Sequence, residues 1–322
     1  MALSDMKVFN QYLKEATIET VAQMVDKFNA ASGGAILLTV DGFDGDFLMQ
    51  SAFSSLHAAQ RRVDRYATNT SASATNLAEL QNNTVKVAGG FGPIAWEPAQ
   101  LTWIRTNPQA ALAAISQNLS EAMVKDMLNA GIASAVAAIE NVGATVVNDI
   151  GTSRDITYGD INNAHALFGD SSQLLVADVM DGLMYHKLIG QNLTNGNELF
   201  QAGNVTVVDI LGKRVVVTDS PALRETPATS TNDVKVLSLV AGGVVVHNAG
   251  DMETNIETSN GSQRIKSTFQ VDYSFGLGLK GYSFSSSVKS PTDAELATGS
   301  NWTKTATSIK HTAGVVTLGE TK

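Results

Sequence analysis

One stretch constrains the fold more than any other: residues 107–141, NPQAALAAISQNLSEAMVKDMLNAGIASAVAAIEN. Asn107-Pro108 is a helix start, a capping side chain followed by a proline whose missing N–H costs nothing at the first helical position. Leu112, Ile115, Leu119, Met123, Met127 and Ala130 continue at steps of three and four, and the pattern persists through Val136 and Ile139 until Gly143 ends it. At 1.5 Å per residue this predicts a rod of roughly 50 Å. Gly131 reads as a weak point inside it, and the many alanines on its face permit close packing. Far away in sequence, Ile265, Phe269, Val271, Tyr273, Phe275, Leu277 and Leu279 all fall on odd positions, with Ser267 the exception. This period-2 run predicts a half-buried strand well beyond ordinary length. A long helix and a long strand pair most simply into one elongated α+β layer.

The rest of the chain is shorter and more broken. Residues 2–31 predict a helix with Met6, Phe9 and Leu13, then Ile18, Val21, Val25 and Phe28, at helical spacing, stopped by Gly33-Gly34. Ala35–Val40 predicts a short strand, and DGFDGD (41–46) a turn. Residues 47–66 predict a second helix with Phe53, Leu56, Val63 and Tyr66 on one face and Arg61, Arg62 and Arg65 beside it. Residues 68–84 are polar and unsuited to a core of their own. The stretch from 34 to 95 thus resembles an extended excursion with strands at both ends.

Further on, Thr157-x-x-Asp160 predicts a capping box, with Ile161, Ala164 and Phe168 as an apolar face closed by Gly169. Gln173–Ala177 predicts a buried strand. Asp178 is then expected to cap a helix carrying Val179, Leu183 and Leu188 that ends at Gly190. Residues 205–210 and 214–218 predict a hairpin, and 233–240 and 244–246 two further strands around Gly242-Gly243. The segment after Pro291 is polar and weakly patterned.

Charge and composition exclude several classes of function. Only 16% of the residues are charged, so much of the surface must be covered either by copies of the chain, since interface cores are depleted in charge, or by neutral Ser, Thr and Asn. The net charge is −9, with none of the cation clustering that grips nucleic acid through counterion release. There is no cysteine, which removes disulfides, thiolate catalysis and Cys-based zinc sites. The start, MALSDMKVFNQYLKEA, reads as amphipathic and not as a secretory signal, and no run of 18 apolar residues suggests a membrane span.

No catalytic or cofactor constellation emerges. Gly276-Leu-Gly278-Leu-Lys-Gly281 matches G-x-G-x-x-G, but strand-like sequence follows where a dinucleotide site needs a helix. Asp41, Asp44 and Asp46 lack the spacing of a calcium loop. The five histidines are scattered, and His186 reads as a core or interface residue. Trp96 and Trp103 read as hydrophobic anchors at the base of the long helix.

The segment GFGPIAW followed by the Pro-started long helix, then DITYGDINNAHALFGD with LLVADVMDGLMYHKL, then VTVVDILGKRVVVTDSPAL and RIKSTFQVDYSFGLGLKGYSF, resembles the phage major capsid proteins of the Hong Kong 97-type fold over about residues 85–290. The resemblance implies an N-terminal arm (1–33), an extended loop (34–95), a peripheral domain with its spine helix (96–150) and returning strands (244–290), an axial domain (151–243) and a C-terminal tail (291–322). It implies hexamers and pentamers closed into an icosahedral virion shell around double-stranded DNA, assembled in the host cytoplasm, with no cofactor, metal or catalytic residue. Portal and scaffolding proteins, and a decoration protein, are the partners it brings. Arg61, Arg62, Arg65, Trp96 and Trp103 are the candidate assembly-interface residues. Some relatives link the extended loop to a neighbour through lysine and asparagine. Lys86 is the sole lysine between about 28 and 124, which does not support such a link here. Two other readings are an encapsulin-like compartment with the same fold, and an α/β enzyme or ligand-binding protein centred on 155–240, which would need a pocket with convergent polar groups.

Overall fold

The structure, a computed structural model, describes residues 3–39, 46–53, 62–66, 68, 79–96, 107–151, 154–194, 212–224, 234–248, 251–260, 263 and 265–320. The long alternating segment forms strand β10 (Lys266–Leu279), the spine of a six-stranded sheet. The other strands of that sheet are β1 (Ile36–Thr39), β2 (Phe47–Phe53), β3 (Glu79–Trp96), β8 (Val244–Asn248) and β9 (Glu253–Ser259). The order is β1-β8-β10-β3-β2, with β9 alongside β10 beyond β8. Phe269, Val271, Tyr273, Phe275, Leu277 and Leu279 are all buried, as the period-2 pattern predicts, and Ser267 is buried with them. From Ser274 onward the even positions are buried too.

The predicted rod is helix α2, Pro108–Glu140, 33 residues long. Asn107 stands at its cap, but its side chain makes no capping hydrogen bond. Helix α2 lies against β8 and β10. Gly131 marks the crossing: a Cβ there would stand 3.1 Å from Val244 Cγ1 and 3.8 Å from Leu277 Cδ1. The glycine that reads as a weak point is therefore the close approach that seats the helix on the sheet. Residues 113–140 are apolar and long enough to cross a bilayer by length and composition alone. Met123, Met127, Ile132, Val136 and Ile139 are buried inside the protein instead, as in the core helix of a folded domain.

Helix α1 (Leu3–Ser32) packs on α2 through Leu13, Thr17, Val21 and Val25, a stripe stepping by four. That step turns Ile18 outward, where it is 39% exposed, contrary to its placement on the inner face. Ser120 Oγ donates to the Thr17 carbonyl at 3.2 Å, tying the helices together. Gly33 and Gly34 end α1 with positive φ, and the Arg214 guanidinium donates to the Ala30 carbonyl at 2.6 Å in its last turn.

A five-stranded sheet, order β4-β13-β7-β5-β6, forms the second part of the core. It comprises β4 (Val147–Asp149), β5 (Leu175–Met180), β6 (Arg214–Val217), β7 (Val234–Val240) and β13 (Gly314–Gly319). Helices α3 (Tyr158–Ala166) and α4 (Gly182–Thr194) flank it. Ile156, Ile161, Met180, Met184, Leu188, Val234 and Val236 form one cluster there. Strands β7 and β8, adjacent in sequence around Gly242-Gly243, belong to different sheets.

Several further expectations fail for tertiary reasons. Phe47–Phe53 is strand β2, antiparallel to β3, not the start of a helix. Residues 62–66 are not helical either, and 54–61 lie outside the described residues. Edge pairing with β3 decides the conformation where local pattern was ambiguous. Glu79–Thr84, taken as part of a polar stretch, is the first part of β3 for the same reason. Asp178 lies inside β5 and is fully buried. The helix begins after Asp181, whose Oδ2 accepts from the Leu183 amide at 3.3 Å, and it runs on through Gly190. The segment after Pro291 is no loose tail. It supplies a short helix α5 (Asp293–Leu296), strand β12 (Trp302–Lys304), paired with β11 (Tyr282–Phe284), and β13, buried between β4 and β7. Residues 205–210 of the expected hairpin lie outside the described residues, and β6 pairs in parallel with β5.

Candidate assembly interface

Strand β3 is 18 residues long and serves two purposes. Its second part, Val85–Trp96, pairs with β10, while Glu79–Val85 pairs with β2 across Phe47–Phe53. The β2–β3 ribbon therefore departs from the sheet near Val85. The point of departure is pinned. The Lys86 amide donates to the Asp46 carbonyl at 2.9 Å, and Lys86 Nζ lies 3.1 Å from Asp251 Oδ2. Burial alone would raise the Asp251 pKa, but the Ser274 hydroxyl and amide together with Lys86 hold it below the ordinary value. The Asn83 amide donates to Ser283 Oγ at 3.1 Å, and the Thr305 hydroxyl donates to Asn82, so the paired strands β11 and β12 brace the ribbon's base. Lys86 is thus engaged in a charge pair within its own chain.

Beyond the ribbon, residues 62–66 present Arg62, Val63, Arg65 and Tyr66 to solvent, Tyr66 at 92% exposure. Arg65 stands over the Tyr66 ring, 5.9 Å from its centroid, within the range of a cation–π contact. Arg61 and Trp103 lie outside the described residues, as does the side chain of Trp96, whose backbone ends β3 opposite Ser267. The described residues do not bring the two arginines to Trp96. Other apolar side chains are exposed as well, Ile265 and Leu183 among them although their spacing predicts inward faces. Ile94 and Ile265 lie at the far end of the β3–β10 ribbon, and Leu183 and Val217 beside the edge of the five-stranded sheet. His186, read as a core or interface residue, is exposed in the chain, its ring edge-on to Tyr185.

The buried polar groups are structural in arrangement. His165 Nε2 lies 3.0 Å from Asp178 Oδ1 and 3.1 Å from Ser238 Oγ. A nucleophilic triad uses the two ring nitrogens separately, one for the serine and one for the carboxylate. Here one nitrogen is shared, and all three residues are buried. Gly278 of the G-x-G-x-x-G match lies inside β10, where a Cβ would stand 2.6 Å from Thr84 Oγ1, so the glycine serves strand packing. No cluster of three metal-ligating side chains occurs among the described residues; Asp41 and Asp44 lie outside them.

Two carboxylates have measurable consequences. Tyr273 OH donates to Asp126 Oδ2 at 2.6 Å, linking β10 to α2, and the ring lies over Gly89 of β3, where a Cβ would stand 2.7 Å from it. Burial raises the Tyr273 pKa far above its usual value, with Asp126 adding to the effect. Tyr273→Phe removes the donor and leaves a half-buried carboxylate short of a partner. An expected loss of about 1–2 kcal/mol in chemical denaturation follows, and a change below the error of that measurement would contradict the link.

Asp160 is the second. It accepts two bonds from Arg154 at 2.6 Å each and one from the Thr157 amide at 2.9 Å, completing the capping box of α3. The Arg154 bond is the largest cause holding its pKa at about 2, below the ordinary 3.8. A carboxyl depressed on folding contributes stability above its unfolded pKa and loses it as pH falls through the folded one. Melting temperatures of the Asp160→Asn variant should therefore lie below wild type at neutral pH, by about 1–2 kcal/mol in stability. The gap should close between pH 3.8 and about 2, and a gap constant across that window would refute the assignment.

A family model described as Gp13-like, major capsid protein 13-like, matches residues 5–316. The chain belongs to this major capsid protein family. No curated protein matches the capsid protein's sequence. Solved structures do match its fold. The capsid asymmetric unit of cyanophage Pam1 superposes with a TM-score of 0.57 at 11% identity, over 88% of each chain. A structure from Microbacterium phage Oxtober96 gives 0.54 at 12% over 90% of each. One from Mycobacterium phage Bobi gives 0.53 at 13%, over 88% of this chain and 89% of that one. The capsid protein thus has the Hong Kong 97-type fold, with α2 as its spine helix, and it is a phage shell subunit.

Proposed function

We propose that this capsid protein closes through hexamers and pentamers into an icosahedral head around double-stranded DNA, and that it catalyses no reaction. The observation that carries the reading is the β2–β3 ribbon, whose outer part pairs only with itself among the described residues before leading to the exposed segment 62–66. Such a ribbon is finished by contact with another molecule, and many weak repeated contacts close a shell through avidity. The net charge of −9 supports a wall that encloses DNA without gripping it. The change of sheet between β7 and β8 supports a division into axial (151–243) and peripheral (96–150 and 244–290) domains, with an N-terminal arm (1–33) and an extended loop (34–95). The 291–320 segment joins both, through α5 beside α2 and β13 in the five-stranded sheet. The engagement of Lys86 by Asp251 supports a shell without a lysine crosslink at that residue. A separate scaffolding protein and a portal complete the proposed set of partners, with a decoration protein on the outer face.

Electron micrographs of the purified protein should show capsomers or closed particles, and denaturing gels of those particles should run at the monomer mass. A strictly monomeric species at every concentration and salt would overturn the reading.

A further inference from the structure

Between α2, the 3₁₀ turn at Pro221–Leu223 and α5 lies a cavity of about 470 Å³. Its wall toward α2 carries Asp126, Ala130 and Ala133 on one helical face, and α5 contributes Asp293. Burial raises the Asp126 pKa; Tyr273 opposes this, and the Asp293 carboxylate is near enough to raise it further. Two acids thus share one space, and neither forms an ion pair with a described residue. A second observation points the same way. Ser220 lines the cavity, is 2% exposed, and its Oγ has no hydrogen-bond partner. A buried hydroxyl without a partner is costly unless something supplies one. Apart from Asn129, the remaining wall is small and apolar, mostly alanine with Leu296 and Pro221. Carboxylates at a mouth lined by short aliphatic side chains suit a cation on an apolar stem, which is arginine or lysine.

We infer that this cavity is a docking pocket for arginine from the Arg62–Tyr66 segment of a second copy of the chain. The inference rests on the shell reading above. Charge complementarity selects the segment: Arg62 and Arg65 are exposed and have no carboxylate partner among the described residues, while Asp64 is occupied by the Tyr66 amide at 2.9 Å. Val63 and Tyr66, exposed beside them, add apolar and aromatic surface that the described residues do not cover. A guanidinium in the pocket would neutralise the mutual repulsion of Asp126 and Asp293 and offer the donors that Ser220 Oγ lacks.

A charge swap tests this. Arg62→Glu/Arg65→Glu and Asp293→Lys should each lower the assembled fraction in sedimentation velocity by about tenfold or more at fixed protein concentration. Combining them should recover part of it, because the glutamates of the segment then meet a lysine at position 293, while Asp126 keeps its negative charge. Asp293→Asn, which adds no charge, should fall between wild type and Asp293→Lys. Asp293 is exposed and outside the Thr292–Glu295 capping box, so melting curves of its variants should match wild type. Assembly of the single-site variants at wild-type levels, or failure of the combination to recover, would overturn the docking while leaving the shell reading intact. Assembly that follows added calcium or magnesium and ignores the swap would show the pocket to be a free-cation site, which also overturns it. Absence of assembly by the wild-type protein would remove the shell reading itself, and the docking with it.

Discussion

Trp302→Ala is expected to destabilise the subunit by about 3–5 kcal/mol. Trp302 is 1% exposed and sits edge-on to Phe284, ring centroids 4.9 Å apart. Its Nε1 donates to the Leu296 carbonyl at 2.9 Å, which closes the turn after α5. Its own carbonyl accepts from Asn141 Nδ2 at 3.3 Å, so the same residue holds the C-terminal end of the spine helix. Truncation opens a cavity between elements that no neighbouring side chain is placed to fill. Thermal denaturation should show a loss on the order of 10 °C. Trp302→Phe retains the contact with Phe284 and loses the Nε1 donor, so it should lie well above the alanine variant. Equal melting temperatures for Trp302→Ala and wild type would place the residue outside the core.

Gly314→Val is expected to be as damaging, through crowding. A Cβ on Gly314 would stand 2.0 Å from the Ser238 carbonyl oxygen of β7. The obstacle is main chain, which cannot rotate away as a long side chain could. Either β13 moves off β7, breaking the ladder from Gly314–Leu239 to Gly319–Val234, or the sheet distorts. The expected cost exceeds about 3 kcal/mol, read as insolubility on expression or as a much lower denaturation midpoint. A variant that is soluble and melts with wild type would show that β13 tolerates displacement. Both substitutions fall in the segment after Pro291, where the sequence shows little pattern.

That contrast explains what was legible in the residues and what was not. Periodicity is readable where one long element faces one environment. The first parts of α2 and β10 satisfy this: Leu119, Met123 and Met127, and Phe269, Val271 and Tyr273, are buried at the spacing that the pattern predicts. Capping chemistry is equally local, so Thr157 and Asp160 were readable from spacing alone. Phe47–Phe53 was not, because seven residues fit either period and pairing with β3 decides between them. Asp178 is not legible locally, because an aspartate before an apolar run usually caps a helix. Here the ring of His165, distant in sequence, lies 3.0 Å from its Oδ1 inside a strand. Of the interface residues, only Arg62 and Arg65 are placed as exposed side chains by the described structure. The acidic cavity that we assign to them joins 126, 220 and 293, a set no local pattern could assemble.

The amino-acid order alone determined the rod, the long ribbon, the breaks at Gly33-Gly34 and Gly143, and the absence of cysteine and clustered cationic chemistry. These depend on a residue and its near neighbours. Tertiary structure decided that Gly131 is a seat and not a flaw, that β7 and β8 part into separate sheets, and that Leu296, Trp302 and β13 are core. Those outcomes turn on which surfaces meet across a hundred residues or more, and burial is a property of the meeting surfaces, not of either strand or helix alone.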